Sequence, residues 1–251
     1  EGISGSAGWF FNIQKTAAGV MDEQAMAEAQ RQVELQASSS SSNMTTAAAN
    51  WTELGPDNVG GRTRALLIDR TNTNRMYAGS VSGGLWVSND AGANWSAHPQ
   101  LTTMRNLCIS SICQAANGDL YFGTGEGLYY LLGTGAGGFI GGGIYKSTDG
   151  GNTFARLTAT IPDSNSTSGQ WASVNKMAAD PTNANRIYAA TNKGMMMTDD
   201  GGTTWANPVV FNNITQQGKC SDVDVASNGT VVAGVSNKPW ISPNGNTGTY
   251  V

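Results

Sequence analysis

The chain has 251 residues, of which 14 are Lys or Arg and 18 are Asp or Glu, so its formal net charge is −4. Charged residues make up only 13% of the chain, 39% are hydrophobic and 33 are Gly, a composition typical of turn-rich, exported all-β proteins. The low charge and the aromatic content exclude a disordered polyelectrolyte, the acidic balance argues against a nucleic-acid partner, and no apolar run is long enough to predict a membrane span. The first residues lack a basic stretch followed by an apolar core, so we expect that any signal peptide has been removed.

The first 36 residues differ in composition from the remainder. An apolar group at Trp9–Phe11 precedes a run rich in Ala, Glu and Gln, for which Asp22 is a suitable N-cap. We therefore predict an N-terminal arm with one helix over residues 1–36, which either packs on the main domain or binds separately. A linker rich in Ser, Thr and Ala follows at residues 37–50.

One eight-residue pattern, Ser/Thr-x-Asp-x-Gly-x-x-aromatic, recurs along the rest of the chain and is called the octapeptide below. Its Asp can accept backbone N–H bonds in a tight turn, its Gly permits a positive φ, and its aromatic ring can fold back onto a sheet. The pattern residues are Ser88, Asp90, Gly92 and Trp95; Ser147, Asp149, Gly151 and Phe154; and Thr198, Asp200, Gly202 and Trp205. We assign these residues a structural role, and Ser242–Tyr250 is interpreted as a worn fourth copy.

A longer repeat underlies the octapeptides. Asp69–Ala78 returns as Asp180–Ala189, 111 residues later, and Asn117–Tyr121 returns as Asn228–Val232 with the same spacing. Each period holds two units, and each unit has room for four short strands, which is the organisation of β-propeller blades.

The repeat therefore predicts an all-β fold, a β-propeller over residues 51–251 with about four four-stranded blades and the N-terminal helical arm. No closing strand is evident after the last unit, and an open edge would promote aggregation. We interpret the propeller as incomplete, finished by further blades or by another chain, with a closed ring of four blades as the alternative.

The octapeptide resembles the Asp-box of BNR-repeat proteins. Trp51–Ala65, Gly79–Trp86 and Gly143–Gly151 are similar to the sortilin-type propellers of secreted bacterial proteins. This resemblance implies a secreted or cell-surface location, by type IX secretion. Sialidases, xyloglucanases, sortilin receptors and photosystem assembly factors also have Asp-box propellers, so the fold does not decide the function.

The catalytic residues of the enzymes in this group are not evident in the chain. Sialidases hold the substrate carboxylate with three arginines, whereas only Arg62 and Arg64 lie close together near a blade start. Xyloglucanases of this fold use two carboxylates across a cleft between two propellers, and the sequence indicates one partial propeller. The resemblance therefore favours a non-enzymatic module.

The candidate ligand residues lie in an insertion after the second strand of the second unit, at 125–142. Glu126 is its only charged residue, and Tyr129, Tyr130 and Phe139 could offer ring faces to a sugar or a peptide. The alternative is that these rings are buried under the arm or a neighbouring domain.

Two further groups of charged residues are predicted on inner strands. Arg62 and Arg64 share a strand face and could bind an anionic ligand, or pair with internal carboxylates such as Asp222 and Asp224. Those two carboxylates could instead act as a glycosidase pair, bind Ca²⁺ or line a solvated channel. We predict no required cofactor or metal.

The cysteines and the single histidine are given ordinary structural roles. Cys108 and Cys113 lie five residues apart in a predicted strand, which places them on opposite faces and too far apart for a disulfide. Both are predicted to be small core residues, the redox state of Cys220 is left open, and His98 is predicted to lie on the surface.

These observations favour an exported or cell-surface β-propeller that acts as a non-enzymatic scaffold or binding module, with a glycan or a surface protein as its partner. The alternative is a glycoside hydrolase of the Asp-box class with catalytic residues partly outside this segment.

Overall fold

The computed structural model describes residues 61–102, 108–127, 140–162 and 169–251, together with Gln32. The chain divides into two compact units, Glu1–Gly61 and Arg62–Val251. Except for Gln32, which is helical, the predicted arm and linker lie outside the described residues, so their boundaries stay predictions. No helix in the described ranges is long and apolar enough to cross a membrane.

The second unit is a β-propeller, as the repeat predicts. Its strands form antiparallel sheets in which neighbours follow each other along the chain. Blade 1 comprises β1 (Thr63–Ile68), β2 (Met76–Ser80), β3 (Leu85–Ser88) and β4 (Ser96–Ala97), and blade 2 comprises β5 (Ile109–Gln114), β6 (Leu120–Thr124), β7 (Ile144–Ser147) and β8 (Ala155–Arg156). Blade 3 comprises β9 (Val174–Ala179), β10 (Ile187–Thr191) and β11 (Gly194–Thr198), and blade 4 comprises β14 (Cys220–Val225), β15 (Val231–Val235) and β16 (Lys238–Ser242).

The connections carry little further regular structure in the described ranges. A small hairpin, β12 (Val210–Phe211) and β13 (Ile214–Thr215), joins blades 3 and 4. Short 3-10 helices lie at Pro99–Thr102, Thr158–Thr160 and Gln170–Ala172. The first strands of successive blades lie against one another and are called the inner strands below.

The fourth strand is shorter in the later blades than the sequence predicts. In blade 3 it is reduced to a bridge between Met197 and Ala206, because Pro208, which has no N–H to donate, follows soon after. In blade 4, Ile241 and Val251 exchange two backbone hydrogen bonds of 3.0 Å, so the chain pairs with the third strand there after all.

The hydrophobic core is divided into layers between adjacent blades. Tyr77, Leu85 and Val87 of blade 1 pack with Phe122 and Tyr145 of blade 2, and equivalent clusters join blade 2 to blade 3 and blade 3 to blade 4. Each blade therefore buries both of its faces only when it has a neighbour on each side, as expected for a stack of repeated units.

A strand glycine sets the spacing between two of these blades. A Cβ at Gly123 in β6 would lie only 2.6 Å from the Cβ of Val174 in β9. Because real side chains do not approach so closely, the absence of a side chain at Gly123 allows the inner strand of blade 3 to pack against blade 2.

The prediction for His98 is wrong. Its ring is buried, its Nε2 lies 3.0 Å from the carbonyl oxygen of Gly151, and its edge packs on Phe154 with ring centroids 5.4 Å apart. The residue lies directly after β4, and the octapeptide of blade 2 covers it there. Sequence spacing did not reveal this contact because it crosses a blade boundary.

The predicted core role of Cys108 and Cys113 is confirmed. Both are buried, as is Cys220, and none of the three forms a disulfide with another described cysteine. Burial raises the pKa of Cys113 and of Cys220 to about 12, and burial, followed by the charge of Glu126, raises the pKa of Cys108 to about 11. Thiols with such pKa values are not thiolates at neutral pH and are poor nucleophiles.

Candidate functional site

The octapeptides form tight turns that satisfy their own polar groups. Asp149 accepts hydrogen bonds from the Ser147 hydroxyl at 2.7 Å, the Asn152 N–H at 3.0 Å, and the Thr153 N–H and hydroxyl at 2.9 and 2.5 Å. The Ser147 hydroxyl in turn accepts the Gly151 N–H at 2.8 Å. These bonds, led by that of the Thr153 hydroxyl, lower the pKa of Asp149. No oxygen of this carboxylate is left without a donor, which supports the structural assignment.

A second group of polar side chains lies near the beginning of the inner strands. Unlike the octapeptide turns, this group does not satisfy all of its own hydrogen-bond acceptors. It contains residues from all four blades and is called the inner-strand cluster. Its members are Arg62 and Arg64 of blade 1, Glu126 of blade 2, Ser173 and Asn175 of blade 3, and Lys219 of blade 4.

Glu126 is the central residue of the inner-strand cluster. It lies two residues after β6, its side chain is only 2% exposed, and its Oε2 accepts a 2.5 Å bond from Arg62 Nη2. Arg64 Nη1 is 3.9 Å from the other oxygen, Oε1, beyond hydrogen-bond distance. Oε1 is buried and has no hydrogen-bond partner among the described residues.

Blades 3 and 4 complete the inner-strand cluster around Gly127. Lys219 Nζ donates to the Gly127 carbonyl at 2.7 Å, and burial, followed by the charge of Arg64, lowers the pKa of this ammonium. A Cβ at Gly127 would lie 2.7 Å from Ser173 Oγ and 3.0 Å from Asn175 Oδ1. Asn175 also donates to the Cys220 carbonyl at 2.7 Å, so the strand starts of blades 3 and 4 are held together.

The structure thus brings together three of the six predicted ligand residues, Arg62, Arg64 and Glu126. The aromatic candidates Tyr129, Tyr130 and Phe139 lie outside the described residues and stay predictions. The described base of their loop is fixed, since Gly141 N–H donates to the Ala172 carbonyl at 2.7 Å.

The sequence analysis missed Ser173, Asn175 and Lys219, although a signal existed. Ser173 and Lys219 directly precede the inner strands of their blades, as Arg62 does in blade 1. Alignment of the four strand starts would therefore have placed these polar residues at one edge of the propeller.

The prediction that Arg62 and Arg64 pair with an internal carboxylate is confirmed, but the partners named for them, Asp222 and Asp224, are wrong. Both arginines lie beside Glu126, because the insertion of blade 2 returns a carboxylate to the start of β1. Asp222 and Asp224 instead lie 3.9 and 4.0 Å from Lys176 Nζ, on the inner strand of the neighbouring blade.

The two aspartates do not form a catalytic or metal site on the evidence of their contacts. Both side chains are exposed, so neither lies in the apolar environment that a protonated catalytic acid requires. Among the described residues no group of three or more His, Cys, Asp or Glu side chains could hold a metal ion.

Known structures resemble this propeller at low sequence identity. An ancestral GH74 enzyme aligns with 72% of the chain at 21% identity and a TM-score of 0.55. A GH74 xyloglucanase from Xanthomonas campestris aligns with 73% of the chain at 19% identity and a TM-score of 0.54. The extracellular domain of a B. thetaiotaomicron protein described as a one component system aligns with 75% of the chain, at 15% identity and a TM-score of 0.50. At these identities the likeness establishes the β-propeller fold alone.

The chain spans only 24%, 28% and 22% of the lengths of these three proteins. No family model matches the chain, and no curated protein matches its sequence. The comparisons therefore establish a propeller module but assign no activity to it.

Proposed function

We propose that the propeller is a non-enzymatic binding module of an exported or cell-surface protein, and that the inner-strand cluster is its ligand site. A single observation carries the proposal: Glu126 Oε1 is buried, yet no donor in the part of the chain that the structure describes lies within hydrogen-bond distance of it. A buried acceptor without a partner costs roughly 1–3 kcal/mol, so a ligand that donates a hydrogen bond there gains that free energy on binding.

The donors and acceptors of the inner-strand cluster favour a hydroxyl-bearing ligand. Glu126 Oε1 requires a donor, while the guanidinium of Arg62, which is half exposed, offers N–H groups that require an acceptor. A sugar hydroxyl can donate and accept at the same time. We therefore favour a glycan over a protein partner.

The charges of the inner-strand cluster narrow the class of glycan. Arg62, Arg64 and Lys219 carry three positive charges against the single carboxylate of Glu126. Such a site disfavours amino sugars with a free ammonium group and accepts uronic acids, whose carboxylate suits a guanidinium.

A hydrolytic function has weaker support in the described residues. A glycosidase of the usual kind needs two carboxyl groups, about 5 to 9.5 Å apart, on either side of the bond that is cleaved. Glu126 contacts arginines, and the other candidate carboxylates, Asp222 and Asp224, contact Lys176 on a different pair of blades.

The test is calorimetric titration of the full chain with neutral cello- and xyloglucan-oligosaccharides and with oligogalacturonides. We expect binding of at least one probe and a loss of about tenfold or more in affinity for Glu126→Gln, since an amide replaces the charged acceptor. Asp224→Asn is the matched control, because it removes an exposed carboxylate outside the cluster and should leave the affinity unchanged.

Two results would contradict the proposal. Equal affinities of the wild type and Glu126→Gln would show that the ligand binds elsewhere. Release of new reducing ends from the bound probe would show that the module is an enzyme. Urea unfolding of each variant checks that its fold is intact.

A further inference from the structure

The four inner strands share one irregularity at the same position. In every blade, the pairing of the first strand with the second skips one residue of the first strand, directly after its first paired residue. A residue skipped in this way forms a β-bulge, and bulges re-aim a side chain, often next to an active or binding site. The four bulge residues are Arg64, Ser110, Asn175 and Ser221.

The bulge residues of blades 2 and 3 join each blade to the next one. Ser110 Oγ donates to the Val174 carbonyl at 2.5 Å. Asn175 Nδ2 makes the same contact one blade further on, where it donates to the Cys220 carbonyl at 2.7 Å. In both cases the acceptor is the first paired residue of the following inner strand, so these two bulge residues have a structural role.

Arg64 departs from this arrangement, although the equivalent acceptor is in place. The first paired residue of the following blade is Ile109, and its carbonyl oxygen faces blade 1, because it would lie 3.0 Å from a Cβ at Gly79. Among the described residues, the contact of Arg64 is not with this oxygen but with the inner-strand cluster, where its Nη1 lies 3.9 Å from Glu126 Oε1. Blade 1 thus places a cation in that cluster where blades 2 and 3 have a bond between blades.

The inner-strand cluster holds more positive charge than its carboxylate can neutralise. Glu126 Oε2 already accepts a hydrogen bond from Arg62, and Arg64 lies beyond hydrogen-bond distance of Oε1. Lys219 adds another cation, which uses one of its three N–H donors on the Gly127 carbonyl, and burial, followed by the charge of Arg64, lowers its pKa. Cations that raise each other's free energy in this way are stabilised by an anion bound between them.

We propose that Arg64 and Lys219 form an anion subsite beside Glu126, and that this subsite binds the carboxylate of a uronic acid in an acidic glycan. The inference rests on the proposed function and deepens it, since Glu126 accepts from a sugar hydroxyl while the two cations donate to the carboxylate. A guanidinium can donate two parallel N–H bonds to a carboxylate, and an ammonium adds a charged donor. A neutral sugar leaves both cations without an acceptor and therefore binds more weakly.

Calorimetric titration of the full chain with a matched pair of oligosaccharides tests the subsite. An oligogalacturonide and its methyl ester have the same hydroxyl groups and differ in the charge of their carboxyl groups. We expect the wild type to bind the acid about tenfold or more tightly than the ester, because charged hydrogen bonds are the stronger ones. Arg64→Gln and Lys219→Gln should each remove most of this preference while leaving the affinity for the ester unchanged.

Lys176→Gln is the matched control for the loss of a positive charge. Lys176 lies on an inner strand too, but it faces Asp222 and Asp224 and is outside the inner-strand cluster. The variant should therefore keep the wild-type preference for the acid. An equal loss of preference in Lys176→Gln would mean that the net charge of the chain attracts the oligogalacturonide, and it would overturn the subsite.

The bulge offers a variant that separates the ligand role of Arg64 from a role in folding. Arg64→Asn gives blade 1 the residue that blade 3 has at this position, and its amide can donate to the Ile109 carbonyl as Asn175 donates to Cys220. We expect a urea midpoint equal to or above that of the wild type, together with loss of the preference for the acid. A lower midpoint with the preference retained would assign Arg64 to the fold and overturn the subsite.

A sulfated galactan oligosaccharide distinguishes the two anionic groups that glycans carry. It presents sulfate esters and no carboxylate, so we expect it to bind more weakly than the oligogalacturonide. Tighter binding of the sulfated oligosaccharide would overturn the assignment of the subsite to a carboxylate.

The outcomes separate the subsite from the proposed function. Equal affinities of the wild type for the acid and the ester, with the loss in Glu126→Gln still present, would overturn the subsite alone. A preference for the acid that depends on Arg64 and Lys219 but not on Glu126 would support the subsite and contradict the role proposed for Glu126. Absence of binding of every oligosaccharide would overturn both.

Discussion

Individual carboxylates perform two different tasks in this chain. Asp149 is surrounded by four donors of its own turn, so its charge is used entirely to fix that turn. Glu126 is more deeply buried and interacts with two arginines, yet one of its oxygens has no donor in the described ranges. The satisfied carboxylate of Asp149 stabilises its turn, and under our proposal the open oxygen of Glu126 is explained by a ligand.

The octapeptide carboxylates should make the stability of the propeller fall in acid. Hydrogen bonds, chiefly from the Asn94 N–H and from the Thr204 hydroxyl, lower the pKa values of Asp90 and Asp200 to about 2 from an ordinary 3.8. Because the unfolded chain then binds more protons, their contribution is present above pH 3.8 and is lost as the pH falls toward 2.

Asp149→Asn tests this account at one octapeptide. Asn244 holds the same position in the fourth turn and accepts the Asn246 N–H at 3.0 Å, so the substitution should leave the turn folded. We expect urea unfolding between pH 3.8 and 2 to take up as much as about one proton less than in the wild type. Asp224→Asn, outside the octapeptides, is the control, and its free energy of unfolding should depend on pH as that of the wild type does. If the free energy of unfolding of Asp149→Asn also has the wild-type slope against pH, the account is contradicted.

The sequence predicted the octapeptide residues correctly, but it did not predict the contacts that residues make across a blade boundary. The octapeptides are local, and eight residues are enough to specify the turn and its hydrogen bonds. Arg62 and Arg64 were correctly recognised as a pair, but their partner was not, because Glu126 lies on another blade. His98 was misplaced for the same reason, since the octapeptide that covers it belongs to the next blade.

At the scale of elements, tyrosines on second strands join each blade to the following octapeptide. Tyr77 in β2 donates to the Gly150 carbonyl at 2.9 Å, and Tyr121 in β6 donates to the Gly201 carbonyl at 3.2 Å. Tyr188 in β10 occupies the equivalent position, but among the described residues its buried hydroxyl donates to no octapeptide carbonyl and interacts with Arg186 instead. Tyr188 is therefore a comparison residue for the contact between tyrosine and octapeptide.

Tyr77→Phe should lower the free energy of unfolding by about 1–2 kcal/mol, because it leaves the Gly150 carbonyl without this donor. Tyr188→Phe removes a hydroxyl that, among the described residues, donates to no octapeptide carbonyl, so it should lower the free energy of unfolding less than Tyr77→Phe does. Urea unfolding of both variants measures the difference. Equal losses would mean that the hydroxyl contact does not contribute to joining the blades.

The regular elements were predictable and the irregular ones were not. The 111-residue repeat predicted the antiparallel blades, because identical turns and alternation specify similar sheets. The β12–β13 hairpin has no counterpart in the repeat, and the short fourth strand of blade 3 depends on Pro208, which periodicity does not reveal.

At the scale of the whole molecule, function follows from what four similar blades do differently. Three internal interfaces are closed by apolar residues. At one edge of the described propeller, residues before three inner strands and Glu126 after β6 bring polar side chains from all four blades together. Analysis of each repeat unit separately predicts the blades. It does not predict that polar residues of different blades lie together, because that depends on how neighbouring blades pack.

The central claim is that the inner-strand cluster binds a hydroxyl-bearing ligand through the open oxygen of Glu126. The most direct test is a crystal structure of the full chain with the tightest oligosaccharide of the titration panel. We predict a ligand hydroxyl within about 3 Å of Glu126 Oε1, with a second ligand oxygen accepting from Arg62. A ligand seated on the octapeptide face, with Oε1 still lacking a donor, would contradict the claim.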